Sequence, residues 1–232
     1  MTTKTIYEDG TYFDNNPTWH EEDSPWKAKK IVKIMKKNNV NPTTICEVGC
    51  GAGEILNCLL HELGEKVVFC GYEISPQAFE ICRKKTKHNL HFQLKDLLEE
   101  ELMFDVLMAI DVFEHVEDLF GFLRKLRGKG IYKIFHIPLD LSVRTVISGS
   151  HLLNARRTVG HIHYFTKETA IATLKDAGYE IVDHFYTSSS LELPNRRWKS
   201  NRLNPLRKWG FLIHQDMAVR ILGGFSLLVL AK

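Results

Sequence analysis

The chain has 232 residues, enough for one domain with a sizeable core. Its 44% hydrophobic and 25% charged content is ordinary for a globular protein, and a net charge of +3 is too small to mark a nucleic-acid-binding surface. The start, Met1 to Asn16, carries Lys4, Glu8, Asp9 and Asp14 and does not read as a signal peptide, while the most apolar late run, Ile221 to Ala231, is too short to span a bilayer. Five cysteines (Cys46, Cys50, Cys58, Cys70, Cys82) crowd one early third and are odd in number, which fits a reducing cytoplasm better than a disulfide framework. Cys46 and Cys50 have no second close pair, so no metal is expected.

In chain order, aromatics without a clear period come first: Tyr7, Tyr12, Phe13 and Trp19. Ser24-Pro25 predicts a helix start, with Ser24 as cap and Pro25 at the first position. Trp26, Ile31, Ile34 and Met35 recur at helical spacing up to Asn38-Asn39, ahead of Pro42.

Thr44 to Glu54, T-I-C-E-V-G-C-G-A-G-E, joins an apolar strand through Gly49, Gly51 and Gly53 to an apolar helix. Strand, glycine turn and helix make a ligand crevice at the carboxyl end of a parallel strand. A dinucleotide fingerprint would need a glycine where Glu54 stands, placing a carboxylate against a diphosphate, and no Gly-Lys-Ser/Thr follows for a P-loop. Glu47 at the strand end suits a cationic, phosphate-free ligand instead. The segment E-V-G-C-G-A-G resembles the first motif, E/D-x-G-x-G-x-G, of the class I S-adenosylmethionine-dependent methyltransferases. The resemblance implies cofactor contacts from Glu47, Gly49, Cys50, Gly51 and Gly53. It also implies that residues 1–40 supply a leading helix over the pocket, with Trp19, His20 and Trp26 either in a lid or packing that helix on the sheet.

Val67 to Glu73 reads as the second strand, and Glu73 lies at the distance past the glycines where an acid reaches ribose hydroxyls, with Ile74 beside it. Ser75-Pro76 opens a helix with a basic tail, Arg83-Lys84-Lys85-Lys87. His91 to Leu94 reads as a third strand; by resemblance, Asp96 after it accepts from the adenine amino group and Leu97 packs on the ring. Phe104 to Ile110 is an apolar fourth strand, and F-D-V-L-M-A-I-D-V-F-E-H-V-E-D is similar to the family's fourth motif, in the branch of small-molecule O-methyltransferases that includes the ubiquinone-biosynthesis type. That similarity implies Ile110 and Asp111 near the methionine part of the cofactor.

Leu119 to Leu126 predicts a helix ended by Gly128, and Gly130 to Ile137 a fifth strand. No N-P-P-Y or D-P-P-Y follows, which weighs against amino-nitrogen methylation of adenine or glutamine, and no Pro-Cys pair points to cytosine C5. Residues 138–165 interrupt the alternation and read as a substrate-side insertion. It closes on H-I-H-Y-F-T, similar to a segment of the same branch, with Thr166 capping a helix that stops at Gly178. Tyr179 to Tyr186 reads as strand six, Leu206 to Leu222 as helix, and Phe225 to Ala231 as a last strand. The basic run Arg196, Arg197, Lys199, Arg202, Arg207 and Lys208 reads as a solvated face, with a phosphate contact the other reading.

The expected fold is α/β: one domain over residues 1–232, a Rossmann-like, seven-stranded, mostly parallel sheet with an antiparallel last strand and helices on both faces. The expected activity is methyl transfer from S-adenosylmethionine, leaving S-adenosylhomocysteine, to a hydroxyl of a small molecule such as a sugar or secondary metabolite. RNA or protein acceptors, or a cofactor-binding subunit without turnover, are the alternatives. A hydroxyl acceptor benefits from a base, and His136 and His161 are preferred for that role over His115 and His163. The acceptor's identity and the oligomeric state are not legible.

Overall fold

Seven short runs pair edge to edge into one sheet; the central ones bury side chains on both faces, whereas Leu90–Leu94 and Ile181–Thr187 at the two edges stay partly exposed. The computed structural model of the chain describes Tyr12, Asn16, Thr18, Trp19 and residues 21–193 and 203–232. In chain order the elements are α1 (Ser24–Lys37), β1 (Thr44–Val48), α2 (Glu54–Leu63), β2 (Val68–Glu73), α3 (Pro76–Cys82), β3 (Leu90–Leu94), β4 (Phe104–Ile110), α4 (Leu119–Arg127), β5 (Gly130–Pro138), α5 (Val143–Ser148), α6 (Ser150–Thr158), α7 (Lys167–Asp176), β6 (Ile181–Thr187), α8 (Ser189–Glu192), α9 (Asn204–Ile213), α10 (Gln215–Leu222) and β7 (Ser226–Ala231).

The strand order is β3-β2-β1-β4-β5-β7-β6. β7 runs antiparallel to both β5 and β6, and β1 to β5 pair in parallel. The expected sheet is therefore the one observed. One face packs on α1 and α2 through Ile31, Ile34, Leu56 and Leu59; the other packs on α4 and α7 through Leu123, Leu126 and Leu174. The order reverses between β1 and β4, and such a switch point leaves a crevice at the carboxyl ends of the strands.

Three local expectations change. Ser24 is the first residue of α1 rather than its cap, because a 3-10 turn, Glu21–Asp23, runs straight into the helix and leaves Asp23 with helical dihedrals. Leu206 to Leu222 is not one helix: His214 is extended at φ −155°, and its Nδ1 accepts from Met217 N at 3.3 Å, so it ends α9 and caps α10. The insertion after β5 holds two short helices, α5 and α6, the first opened by a Ser142–Thr145 capping box.

Leu230 in β7 is fully buried in the same cluster as Ile31 and Ile34. Leu230→Ala is expected to lower unfolding free energy by about 2–5 kcal/mol, read by urea denaturation. A loss below about 1 kcal/mol would mean that β7 contributes little to docking α1.

Candidate active site

The glycine loop between β1 and α2 has left-handed backbone at Gly49 (φ 65°), Gly51 (φ 53°) and Gly53 (φ 73°). At Gly53 the demand is also steric: a Cβ there would stand 2.5 Å from the Phe92 ring. Two backbone bonds hold the loop to β2, Gly49 N and Cys50 N both donating to Tyr72 O at 2.8 and 3.1 Å. The loop forms one wall of a cavity of about 420 Å3, a size suited to a small-molecule ligand. All eleven residues expected at a cofactor line this cavity: Glu47, Gly49, Cys50, Gly51, Gly53, Glu73, Ile74, Asp96, Leu97, Ile110 and Asp111.

Glu73 is buried, and three backbone amides hold its carboxylate: Gly51 N on Oε2 at 2.7 Å, Ile74 N and Ser75 N on Oε1 at 2.9 and 2.8 Å. Burial raises its pKa above the ordinary carboxylate value against the pull of those amides. A carboxylate has about four acceptor positions, so these bonds leave room for a ligand hydroxyl while fixing the side chain. Asp96 Oδ1 accepts from Leu98 N at 2.9 Å and so starts a 3-10 turn, Leu97–Glu99, that sets Leu97 in the wall. Glu47 is buried with Oε2 lacking any hydrogen-bond partner; burial pushes its carboxyl well up, against the attraction of Lys27.

Asp111 follows β4 with left-handed backbone at φ 54°, rare for a residue with a side chain. Its Oδ1 accepts from His136 Nδ1 at 2.6 Å and its Oδ2 pairs with Lys27 Nζ at 2.7 Å. His136 Nε2 in turn shares a 2.9 Å bond with Thr187 Oγ1. Burial opposes the charge on Asp111, but His136 and Lys27 overcome it and hold the carboxyl far below its usual range. His136, expected as a base, is thus buried with both ring nitrogens engaged inside the protein, and it does not line the cavity.

Described residues of the leading segment reach the cavity. Tyr12, Trp19, Ser24 and Lys27 line it, and Tyr12 and Trp19 pack at 4.7 Å. Lys85 bonds Glu21, Glu54 and the Ala52 carbonyl, tying this segment to the glycine loop. Trp26 points elsewhere: its Nε1 donates to Glu192 at 3.0 Å and its ring edge meets His136. His20 lies outside the described residues.

Of the other histidines among the described residues, only His115 lines the cavity. His161 packs on it edge to face, with centroids 4.8 Å apart, and its Nδ1 bonds Asp140 Oδ2 at 2.6 Å. His163 Nε2 donates to Val116 O at 2.8 Å and pins a loop. In the basic run, Arg207 is neither a solvated face nor a phosphate contact: it is buried, and its guanidinium donates to Gly223 O and Leu222 O. Arg196, Arg197, Lys199 and Arg202 lie outside the described residues. Sequence reasoning missed Lys27 and Asp140, because each acts on a residue far along the chain; a lone lysine in a first helical turn carries no local signal.

Asp111→Asn keeps a residue tolerant of left-handed backbone while removing the charge. At pH 7 it is expected to lower stability by about 1.5–3 kcal/mol. A depressed carboxyl contributes stability above its unfolded pKa of about 3.9 and loses it as pH falls. The gap between wild type and variant, measured by urea denaturation across pH 7 to 3, should therefore narrow below about pH 4; a gap independent of pH would contradict the ion-pair assignment.

A family model described as a methyltransferase domain matches residues 19–184 of the chain. No curated protein matches it. Among solved structures, magnesium protoporphyrin IX methyltransferase from Synechocystis with bound S-adenosylhomocysteine has TM-score 0.65 at 17% identity, covering 98% of each chain. N-methyltransferase NodS from Bradyrhizobium japonicum, also with S-adenosylhomocysteine, has TM-score 0.61 at 14% identity, covering 100% of this chain and 98% of that one. A complex of the Haloferax volcanii Trm112 methyltransferase activator with a methyltransferase gives TM-score 0.64 at 16% identity, covering 96% and 94%. Likeness at that identity bears on fold; the family match spans more than half of the chain. The chain belongs to the methyltransferase-domain family and, by family and fold together, is a class I S-adenosylmethionine-dependent methyltransferase.

Proposed function

We propose that the chain moves the methyl group of S-adenosylmethionine to a hydroxyl oxygen of a small molecule bound beside His115 and His161. In this reading Glu73 takes the ribose hydroxyls, Asp96 and Leu97 the adenine, and the glycine loop with Ile110 and Asp111 the methionine part. Residues 1–40 act as a lid over the cofactor, and residues 138–165 shape the acceptor side. A buried, partly unpartnered Glu47 supports a guest that brings positive charge, as a sulfonium and an ammonium do.

The observation that carries the oxygen acceptor is the Asp140–His161 pair. A carboxylate on Nδ1 fixes the tautomer and leaves Nε2 to receive a proton. The sulfonium is already activated, so positioning in line does much of the work. An acceptor lone pair forms the carbon–oxygen bond, the methyl–sulfur bond breaks with its electrons going to sulfur, and the hydroxyl proton passes to His161 Nε2. Neighbours of this fold act on a porphyrin or carry the name N-methyltransferase, so the acceptor rests on the chain's own residues.

Two variants separate the roles. Glu73→Gln should weaken S-adenosylhomocysteine binding by about 10–100-fold, the loss of one charge-assisted contact. His161→Ala should leave that affinity unchanged and lower turnover by about 10²–10⁴-fold, once a screen of hydroxylated small molecules with product detection has found an acceptor. Full turnover in His161→Ala, or methylation found at nitrogen alone, would overturn the reading.

A further inference from the structure

One cluster on the acceptor side is only partly used by that reading. Glu114 and His115 sit in a 3-10 turn, Phe113–His115, just after β4, and His161 lies in the loop before α7. The two loops are pinned by backbone bonds, Ile162 N and His163 N donating to Glu114 O at 2.9 and 3.1 Å. One side-chain donor atom from each of Glu114, His115 and His161 falls within 4.8 Å of the others.

Glu114 is the anomaly. Its side chain is fully buried, and with His115 Nε2 3.7 Å from Oε1 neither carboxylate oxygen has a side-chain hydrogen bond among the described residues. An ionised carboxylate in that position is very costly unless a proton or a cation joins it. His161 is already set up as a ligand, because Asp140 holds Nδ1 and leaves Nε2 as the lone-pair atom, the carboxylate–histidine arrangement typical of metal ligands. His115 lines the cavity, so an ion beside it would face whatever the cavity holds.

We propose that Glu114, His115 and His161 bind a divalent transition-metal ion, of the zinc, manganese or cobalt kind, with open coordination positions toward the acceptor. Two imidazoles and one carboxylate form a donor set of intermediate hardness that leaves sites for exogenous oxygen. Metal–ligand bonds of about 2.0–2.1 Å put donors roughly 3.3 Å apart in a tetrahedral centre, so binding draws the three side chains inward by about an ångström.

The inference rests on the methyl-transfer reading and refines its chemistry. A bound cation lowers the pKa of an acceptor hydroxyl as a Lewis acid. The hydroxyl proton then leaves to solvent, the oxygen lone pair forms the bond to the methyl carbon, and the methyl–sulfur bond breaks toward sulfur. With the ion in place, His161 Nε2 is its ligand and solvent takes the proton that the metal-free reading gives to His161.

The test uses the full chain, dialysed against chelator and then titrated with Co²⁺ by visible absorption and with Zn²⁺ by calorimetry. S-adenosylhomocysteine affinity is measured in every variant as a control for folding. One equivalent per chain is expected, with Co²⁺ bands lacking the near-ultraviolet thiolate transition that the chain's cysteines would add. Glu114→Gln should weaken binding at least about tenfold, and Asp140→Asn, which acts through His161, by about 10–100-fold, with His88→Ala unchanged. No saturable binding, or binding that survives Glu114→Gln and is lost on Cys46→Ser or Cys82→Ser, overturns the proposal. In that event intact S-adenosylhomocysteine binding leaves the methyl-transfer reading standing with Glu114 as a buried neutral acid. Failure to bind S-adenosylhomocysteine counts against that reading whatever the metal titration shows.

Discussion

A single line of polar contacts runs from the leading helix to the far strands: Lys27 to Asp111, Asp111 to His136, His136 to Thr187. It joins α1, the loop after β4, β5 and β6, and adds to the strand pairing of β5, β7 and β6 and to the contacts of Lys37 and Asn38 at the end of α1 with Asp183 in β6. Hydrophobic burial brings these elements near one another but does not set their angular position. Short charged hydrogen bonds do, because they weaken steeply with distance and angle. Asp111 accepts left-handed backbone to take part, which fixes where β4 ends and the following turn begins. One carboxylate thereby ties the first turn of α1 to β5 at the carboxyl end of β4.

The charge pattern around that carboxylate is lopsided. Glu47, Glu73 and Asp111 line the cavity with Lys27 and Lys95, and Glu114 lies buried just behind His115. Burial and then the surrounding acids push the Tyr12 hydroxyl far above its usual range. A pocket built this way repels phosphates and favours a guest that brings positive charge, on the cofactor side and, with a metal ion, on the acceptor side too. The same acids make the empty pocket electrostatically uncomfortable, so occupancy should be worth stability as well as chemistry.

Legibility in the sequence followed locality. The strands, the glycine loop and the caps at Ser75 and Thr166 depend on neighbours within a few residues, and periodicity with turn chemistry marks them. That Glu47, Glu73, Asp96 and Asp111 would line one crevice was legible because they fall at or just past strand ends, and the topology gathers strand ends there. His136 was misjudged because a histidine beside a crevice looks alike whether it faces in or is bonded from behind; Asp111 and Thr187, which decide it, are remote in sequence. Arg207 was hidden in a basic run for the same reason, its partners being carbonyls freed where Gly223 and Gly224 break the chain. His115 and His161 were legible as single candidate bases, but their meeting beside Glu114 was not, since the two loops come together through backbone bonds between segments remote in sequence.

The crevice is expected to hold S-adenosylmethionine and not a nicotinamide dinucleotide. Isothermal titration of the intact protein with S-adenosylhomocysteine, beside NAD, addresses it without knowledge of the acceptor. One saturable site for S-adenosylhomocysteine and no heat with NAD is the predicted result. A folded protein that binds NAD, or that binds neither, would contradict it.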